Sequence, residues 1–164
     1  MIIHDLSPEQ AEEVLSGVED NCIIADNHKI RNCIGCFGCW TKTPGQCVIK
    51  DGYETMGANL GKTKELIVIS RMNYGGFSPF VKNVFDRSIS YLHAYFQIRN
   101  KEMHHRHRYD NVIHLRVFFY GDDITQEEKD TANRYVEAVC VNLKASFEDI
   151  RFVTEKELME GNLC

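Results

Sequence analysis

Short apolar runs that alternate with helical patterns are the feature that most constrains how this 164-residue chain can fold. Runs with the length and composition of β-strands lie at residues 1–4, 22–25, 66–70, 112–120 and 147–153. The run at 66–70 reads Leu-Ile-Val-Ile-Ser, and such an uninterrupted apolar stretch is typical of a strand buried on both faces. Strands that alternate with helices predict a parallel sheet with helices on both faces.

The helix starts carry capping signals that support this alternation. Ser before Pro opens two helices, and Thr followed three residues later by Glu opens two more: Ser7 with Pro8, Ser78 with Pro79, Thr125 with Glu128, and Thr154 with Glu157. A further short helix is predicted around residues 53–60. The helix after Pro79 is predicted to continue as far as Phe96, because apolar residues recur there at helical spacing.

Five strands in a chain of this length predict one flavodoxin-like domain over residues 1–164. This is a three-layer α/β fold with a five-stranded parallel sheet of order 2-1-3-4-5 and helices on both faces. Ligands of such sheets bind beyond the carboxyl ends of the strands, so the loops after strands one, three and four are the predicted binding region.

Composition excludes several classes of protein. The formal net charge of −5 argues against general nucleic-acid binding, which needs a surplus of Lys and Arg. No apolar run approaches the roughly 20 residues that span a bilayer, and the N-terminus lacks the pattern of a signal peptide. We therefore expect a cytoplasmic protein without membrane contact, in which the seven cysteines are thiols, metal ligands or transient redox pairs.

Four of these cysteines lie in one segment, residues 32–48, which we call the cysteine segment. Two consecutive C-x-x-C steps, with glycines inside the turns, are followed by a fourth cysteine: Cys33, Cys36, Cys39 and Cys47. Four thiolates suit a 4Fe–4S cluster. Zinc, a redox dithiol and small buried side chains without chemistry are the alternatives at this point.

The loop after the third strand combines aromatic residues with glycines. Gly75 and Gly76 would let a flat ligand approach the backbone closely, and Tyr74 and Phe77 would stack on it. The alternative is a plain strand–loop–helix connection with its charged residues in solvent.

Two motifs together resemble the NAD(P)H-dependent FMN reductase family, in particular its iron–sulfur flavoprotein branch. The first motif is Cys-Ile-Gly-Cys-Phe-Gly-Cys-Trp at residues 33–40, continued by Gly-Gln-Cys-Val-Ile-Lys-Asp at 45–51. The second comprises Tyr74 with Gly75, then Ser78, Lys82, and Asp86 with Arg87. The resemblance is good between residues 22 and 120 and weak at both ends.

The resemblance implies a flavodoxin-like fold that holds FMN at the strand ends. The implied FMN contacts are Arg71, Met72, Asn73, Tyr74, Gly75, Gly76, Tyr120, Gly121 and Asp122. In the iron–sulfur branch the four cysteines hold a 4Fe–4S cluster close to the flavin. The implied partners are NAD(P)H and a small-molecule or protein electron acceptor, and the implied assembly is a homodimer or homotetramer.

One part of the family pattern is missing. Members carry a loop rich in Gly, Ser, Asn and Thr between the first strand and helix, where backbone amides hold the FMN phosphate. This chain has Asp-Leu-Ser-Pro-Glu-Gln at residues 5–10 instead, in which Pro8 removes a donor and the charges of Asp5 and Glu9 repel phosphate. Arg31 and Arg71 are candidates for the missing positive charge.

The segment Glu-Met-His-His-Arg-His-Arg at residues 102–108 has two interpretations. A solvated basic loop is the simpler one. A pocket for phosphate, metal or substrate is the other, with His104 and Arg106 as its candidate residues. The nearby aromatic residues Tyr91, Tyr95 and Phe96 belong either to the core or to an interface.

The leading functional hypothesis is an FMN-dependent oxidoreductase that passes electrons from NAD(P)H to a quinone, flavin or protein acceptor. No nucleophile–base pair is evident, as expected where the cofactor carries the chemistry. The alternatives are an iron–sulfur flavoprotein that acts in electron transfer, and a non-enzymatic metal or redox module that has lost flavin binding.

Overall fold

Strands and helices alternate along the described part of the chain, which comprises residues 1–18 and 23–161 of the computed structural model. The strands are β1 (Ile2–His4), β2 (Ile23–Ile24), β3 (Glu65–Arg71), β4 (Leu92–Arg99), β5 (Glu102–His107), β6 (Ile113–Tyr120) and β7 (Ala145–Val153). The helices are α1 (Pro8–Val14), α2 (Gly38–Thr41), α3 (Met56–Lys62), α4 (Pro79–Arg87), α5 (Gln126–Leu143) and α6 (Glu155–Met159), with a 3₁₀ turn at Ile89–Tyr91.

Five of the strands form one parallel sheet of order β2-β1-β3-β6-β7. This order equals the predicted 2-1-3-4-5 when only the strands of this sheet are counted. β4 and β5 pair with each other as a separate antiparallel hairpin, which lies along the chain between α4 and β6 and outside the parallel sheet. The prediction of a five-stranded, parallel, flavodoxin-like sheet is confirmed, and the hairpin is an addition that the sequence pattern did not reveal.

Two apolar cores lie on opposite faces of the sheet because successive strand side chains point to opposite sides. Val117 and Phe119 of β6 pack into the larger core, together with α3, α4 and α5. Phe118 and Tyr120 pack into the smaller core, with α1 and α6. This arrangement gives the predicted three layers. Each large side chain that becomes fully buried contributes about 1.5–3 kcal/mol.

The capped helix starts agree with the prediction. The side chains of Ser7, Ser78, Thr125 and Thr154 each accept a hydrogen bond from a backbone amide in the first turn of their helix. The second strand was expected over residues 22–25 and covers Ile23–Ile24, while Cys22 lies outside the described residues. No helix in the described ranges is long and apolar enough to cross a membrane.

The helix predicted to continue from Pro79 to Phe96 ends at Arg87 instead. A 3₁₀ turn follows, and β4 then pairs with β5 through the two-residue turn of Asn100 and Lys101. Both turn residues have positive φ values, 51° and 69°. Type I′ hairpin turns, which match the right-handed twist of the strands, require this at both positions. Apolar residues at helical spacing were therefore misleading here, because strand pairing decided the conformation.

The hairpin also corrects the interpretation of residues 102–108 as a solvated loop. Most of that segment is β5, and its imidazoles are partly buried against neighbouring elements. Of the three aromatic residues nearby, Tyr91 is buried in the core, whereas Tyr95 and Phe96 are exposed on β4.

Candidate functional site

The carboxyl ends of β3 and β6 bring two of the predicted flavin loops together. The two strands pair along their whole length, so that Arg71 lies opposite Tyr120. The guanidinium carbon of Arg71 is 5.4 Å from the centre of the Tyr120 ring. Residues 71–76 and 120–123 thus share one edge of the sheet, which we call the carboxyl edge.

Most amides of the loop at residues 71–76 are already used within the chain. Arg71 donates to both Asp5 carboxylate oxygens at 3.1 Å, Met72 donates to the Tyr120 carbonyl at 2.9 Å, and Asn73 and Gly76 donate to each other's carbonyls at 3.1 and 3.0 Å. Among the described residues, the amides of Tyr74 and Gly75 have no hydrogen-bond partner. The donors available to a ligand at this loop are therefore fewer than predicted.

Tyr74 is the most exposed part of this loop. Its side chain is at the tip of the turn with φ 51°, and 90% of the residue surface is accessible. An exposed ring beside free backbone amides is the arrangement that a flat heteroaromatic ligand can use for stacking and hydrogen bonding.

Gly75 is required by packing within the chain. Its φ is +79°, and a Cβ at this position would lie 2.7 Å from the Thr131 Cβ of α5. Gly76, in contrast, has its nearest neighbour, the Asn73 carbonyl oxygen, at 3.7 Å. The predicted close approach of a ligand to Gly75 is thus replaced by close approach of α5, and only Gly76 has room above it.

The second predicted flavin loop, at residues 120–123, is already hydrogen-bonded to β7 and to α6. The Gly121 amide donates to the Val153 carbonyl at 3.1 Å, and the Asp122 carboxylate accepts the Glu155 amide at 3.1 Å. Burial, followed by the charge of Asp5, raises the pKa of Tyr120 well above the ordinary range. Tyr120 is therefore a neutral phenol at physiological pH.

The turn between β1 and α1 has its backbone donors satisfied internally. Asp5 donates to the Ile69 carbonyl at 3.3 Å, Leu6 to His4 Nδ1 at 3.2 Å, Ser7 to the Gln10 side chain at 2.9 Å, and Gln10 to the Ser7 hydroxyl at 3.2 Å. Pro8 has no N–H to offer. The turn thus lacks the cluster of free amides that holds phosphate in nucleotide-binding loops.

The charges around this turn are also unfavourable for an anion. A cavity of about 1030 Å³ opens there, and its lining includes the carboxylates of Asp5, Glu12 and Asp26. Arg71 lines the same cavity, but its guanidinium is paired with Glu155. Hence the residues at the carboxyl edge fit the ring of a flavin and do not fit its phosphate.

The four cysteines line a second cavity, of about 620 Å³, between the cysteine segment, α4, β5 and α5. Cys33 and Cys36 are exposed, Cys39 is half-buried and Cys47 is buried. Burial, followed by the neighbouring thiols of Cys47 and Cys33, raises the pKa of Cys39. The thiols are therefore close enough to influence one another, as the spacing predicted.

The donor set suits a thiophilic metal, but the thiols are not drawn together around a common point. Within residues 1–18 and 23–161, no group of three or more Cys, His, Asp or Glu side chains is placed to hold a metal ion. The geometry therefore gives no support to the predicted cluster. The predicted FMN contacts also line no part of the cysteine cavity among the described residues.

A buried ion pair, with two neighbouring hydrogen bonds, fastens the residues on both sides of the cysteine segment to α4. The Arg87 guanidinium donates to both carboxylate oxygens of Asp51, at 2.6 and 2.9 Å, and to the carbonyls of Arg31 and Ile49, at 2.7 and 3.2 Å. Both side chains are almost completely buried. The hydrogen bond from Arg87 lowers the pKa of Asp51 far below its usual range. The sequence motif marked Arg87 and Asp51 without revealing that they pair.

His105 is the histidine of the hairpin that reaches the cavity. Its ring lies 5.0 Å from the Trp40 ring, and Trp40 donates its indole N–H to the Leu92 carbonyl at 3.0 Å. His104 instead bonds to Asn142 and Glu102, and Arg106 is exposed on β5. The predicted pocket residues His104 and Arg106 are therefore replaced by His105, because side chains alternate along a strand.

The fold and the carboxyl edge together define a flavodoxin-like α/β protein, and comparisons with known proteins agree. The chain is 33% identical over 85 residues to an iron–sulfur flavoprotein of Methanocaldococcus jannaschii. The match covers 52% of this chain and 42% of that protein, so this chain spans less than half the length of that relative. No family model matches the chain.

A solved structure extends the fold comparison to nearly the whole chain. The Trp repressor binding protein from Bacillus subtilis aligns with a TM-score of 0.54 and 12% sequence identity, over 97% of this chain and 90% of that one. Together the two findings support the predicted resemblance: the first to an iron–sulfur flavoprotein over about half of the chain, and the second in fold over nearly all of it.

Proposed function

We propose that this protein is a flavin-dependent oxidoreductase that takes electrons from NAD(P)H and passes them to an acceptor. The observation that carries the proposal is the carboxyl edge of a flavodoxin-like sheet, where the loop at residues 71–76 presents an exposed aromatic ring and free amides. The similarity to an iron–sulfur flavoprotein supports the flavoprotein class. The reaction balances when one hydride from NAD(P)H and one proton from water reduce the acceptor by two electrons.

The chain's own groups would hold the flavin ring rather than act on it. Tyr74 supplies a face for stacking, and the amides of Tyr74 and Gly75 are donors for carbonyl oxygens of the ring. The neutral Tyr120 phenol lies at the base of the loop. A bound flavin supplies the hydride and electron chemistry itself. The acceptor class remains a prediction, with quinones, flavins and proteins as its candidates, and so does the homodimer or homotetramer.

Titration of flavin-free protein with FMN tests this proposal. We expect quenching of flavin fluorescence that saturates at micromolar protein. Tyr74→Ala should weaken binding, because it removes the exposed ring, whereas Tyr95→Ala removes another exposed ring, on the β4–β5 hairpin, and should have no effect. Absence of quenching by either FMN or riboflavin at concentrations far above micromolar would reject the flavin proposal. That result would favour the non-enzymatic module.

Electron transfer through a cluster on the cysteine segment is the second candidate function, and it rests on the four cysteines of one cavity and on the similarity to an iron–sulfur flavoprotein. Four thiols on one cavity are an unusual concentration of soft donors, and a 4Fe–4S cluster would require the exposed Cys33 and Cys36 to close around it. Anaerobically purified protein should then contain about four irons and four sulfides per chain. Cys36→Ser should lose this iron, and the control Cys140→Ser, which changes a buried cysteine of α5, should keep it. Zinc in place of iron, or no metal, contradicts the cluster.

A further inference from the structure

The cysteine cavity is larger and more apolar than thiol chemistry alone requires. Its volume of about 620 Å³ lies in the range of small-molecule sites, which is about 300–1,000 Å³. Apolar side chains from several elements line it, among them Ile34, Ile49, Leu92 and Val139. An apolar concavity of this size next to reactive side chains is the usual form of a ligand site.

Aromatic rings dominate one part of the lining. Phe37 and Trp40 stack with ring centres 5.6 Å apart and an angle of 18°, and Trp40 continues to His105 at 5.0 Å. His105 in turn lies 4.6 Å from Phe96, which supports the row from outside the cavity. Phe37 is largely exposed although it is aromatic. Such a row places aromatic surface in the cavity wall, against which a flat ligand can pack.

Polar side chains also line the cavity, and among their hydroxyls that of Ser88 is already bonded to the Val84 carbonyl at 2.6 Å. Tyr135 of α5 lines the cavity, and its ring is held edge-on against Phe77, with ring centres 5.2 Å apart. Its hydroxyl has no hydrogen-bond partner among the described residues. Burial, followed by the charge of Asp86, raises the pKa of Tyr135 to about 12. The hydroxyl therefore keeps its proton at neutral pH and is a donor for an oxygen atom.

We propose that this cavity binds a planar aromatic molecule that carries a carbonyl oxygen. The row of Phe37, Trp40 and His105 provides the stacking faces, and the Tyr135 hydroxyl donates to the carbonyl. Among the described residues none of the predicted flavin contacts lines this cavity, although the Tyr135 ring lies 4.0 Å from the Cβ position of Gly76. A ligand here would contact the cysteine segment, since Cys33, Cys36, Cys39 and Cys47 line the same cavity.

The single tryptophan of the chain makes a direct test available, because its indole gives one side-chain N–H signal in a ¹H–¹⁵N spectrum. The probes are 1-indanone and indane, two planar bicyclic molecules of the same size that differ by the carbonyl and do not react with thiols. We expect 1-indanone to shift the Trp40 indole signal saturably. Indane should bind about fivefold more weakly, which corresponds to one hydrogen bond.

Two variants separate the parts of the proposal. Tyr135→Phe keeps the ring and should abolish the preference for 1-indanone over indane. His105→Ala should weaken both probes about threefold or more, since it removes a stacking face. The control Tyr95→Phe removes a hydroxyl from an exposed ring outside the cavity and should change neither.

Two outcomes would overturn the proposal: no saturable shift of the indole signal with either probe, or an unchanged preference for 1-indanone in Tyr135→Phe. Thermal melting of each variant shows whether it is folded, and the conservative Tyr135→Phe keeps the test valid if His105→Ala does not fold. The titrations use flavin-free, reduced protein. A failure to bind flavin would remove the proposed oxidoreductase function, but the result of the 1-indanone and indane titrations could still be interpreted.

Discussion

Gly75 illustrates how the same residue type can serve a ligand or the fold. Glycine beside an exposed tyrosine in a loop after a buried strand predicted close approach of a flat ligand. In the structure the space next to Gly75 is filled by Thr131 of α5, and its φ of +79° disfavours any side chain. The loop keeps an exposed ring and free amides, but the glycine itself anchors the loop to α5.

We predict that Gly75→Val destabilises the fold by at least about 2 kcal/mol, because it combines a positive φ with overpacking against Thr131. The measurement is the free energy of unfolding in urea. Gly76→Ala is the matched control: its neighbours leave room, so that its effect should stay within about 1 kcal/mol. If Gly75→Val were as stable as the parent while flavin binding was lost, Gly75 would be a ligand contact after all.

His4 is a second residue whose surroundings decide its behaviour. It ends β1 with only 2% of its surface exposed, and its Nδ1 accepts the Leu6 amide at 3.2 Å. Burial lowers the pKa of His4, against an opposing effect of Asp5. Because the folded pKa is below the unfolded value of about 6.5, the unfolded state binds more protons between the two values. The contribution of His4 to stability is therefore fully present above the unfolded-state pKa, and it is lost as the pH falls toward the folded-state pKa.

We predict that the free energy of unfolding decreases between pH 7.5 and pH 5.5, and that His4→Asn reduces this decrease. Asparagine keeps an acceptor for the Leu6 amide but does not titrate. Urea unfolding at the two pH values measures the effect, and His28→Asn, at an exposed histidine, should behave like the parent. A pH dependence that is identical in parent and His4→Asn would contradict this assignment.

At the scale of elements, the Arg87–Asp51 pair joins the residues that follow the cysteine segment to the end of α4. All of the terminal guanidinium contacts go to the loop that follows β2, and both side chains are buried. Breaking such a pair leaves a charge in the interior without its partner, which costs far more than losing an exposed pair. The pair and its neighbouring hydrogen bonds therefore hold residues on both sides of the cysteine segment against α4.

We predict that Arg87→Met destabilises the protein by about 3–5 kcal/mol, because Asp51 remains buried without a cation. The double variant Arg87→Met with Asp51→Leu should be more stable than the single one, since it removes both charges. Lys82→Met is the control on the same helix: its pair with Asp86 is exposed, and we expect a loss of about 0.5 kcal/mol or less. The urea midpoints of the parent, the two single variants and the double variant measure these differences. A loss in Arg87→Met no larger than that in Lys82→Met would contradict the role of a buried pair.

At the scale of the whole molecule, two cavities lie on opposite sides of the sheet. One is bordered by α1 and opens at the β1–α1 turn, and the other is bordered by α4 and α5 and carries the cysteines. The first has internally bonded amides and three carboxylates where FMN-binding proteins place a phosphate loop. A flavin bound at the carboxyl edge would therefore gain nothing from its phosphate.

We predict that the dissociation constants of riboflavin and FMN agree within about threefold, because the amides of the β1–α1 turn are bonded internally and do not bind the phosphate. Fluorescence titrations with the two flavins under the same conditions measure the ratio. Glu12→Gln removes one carboxylate from this cavity and should shift the ratio toward FMN. FMN binding more than about tenfold tighter than riboflavin would show that some other group holds the phosphate.

The sequence by itself determined the layers of the fold and the grouping of the cysteines, because periodicity, capping residues and close spacing act over short distances along the chain. It correctly located the five strands of the sheet and four capped helix starts, and it grouped the four cysteines, which the structure places on one cavity. Only the tertiary structure decided that β4 and β5 form a hairpin, that Thr131 fills the space beside Gly75, that Asp51 pairs with Arg87, and that His105 rather than His104 reaches the cavity. These features depend on contacts between residues far apart in the chain or on the register of strand pairing, and local pattern carries no information about either.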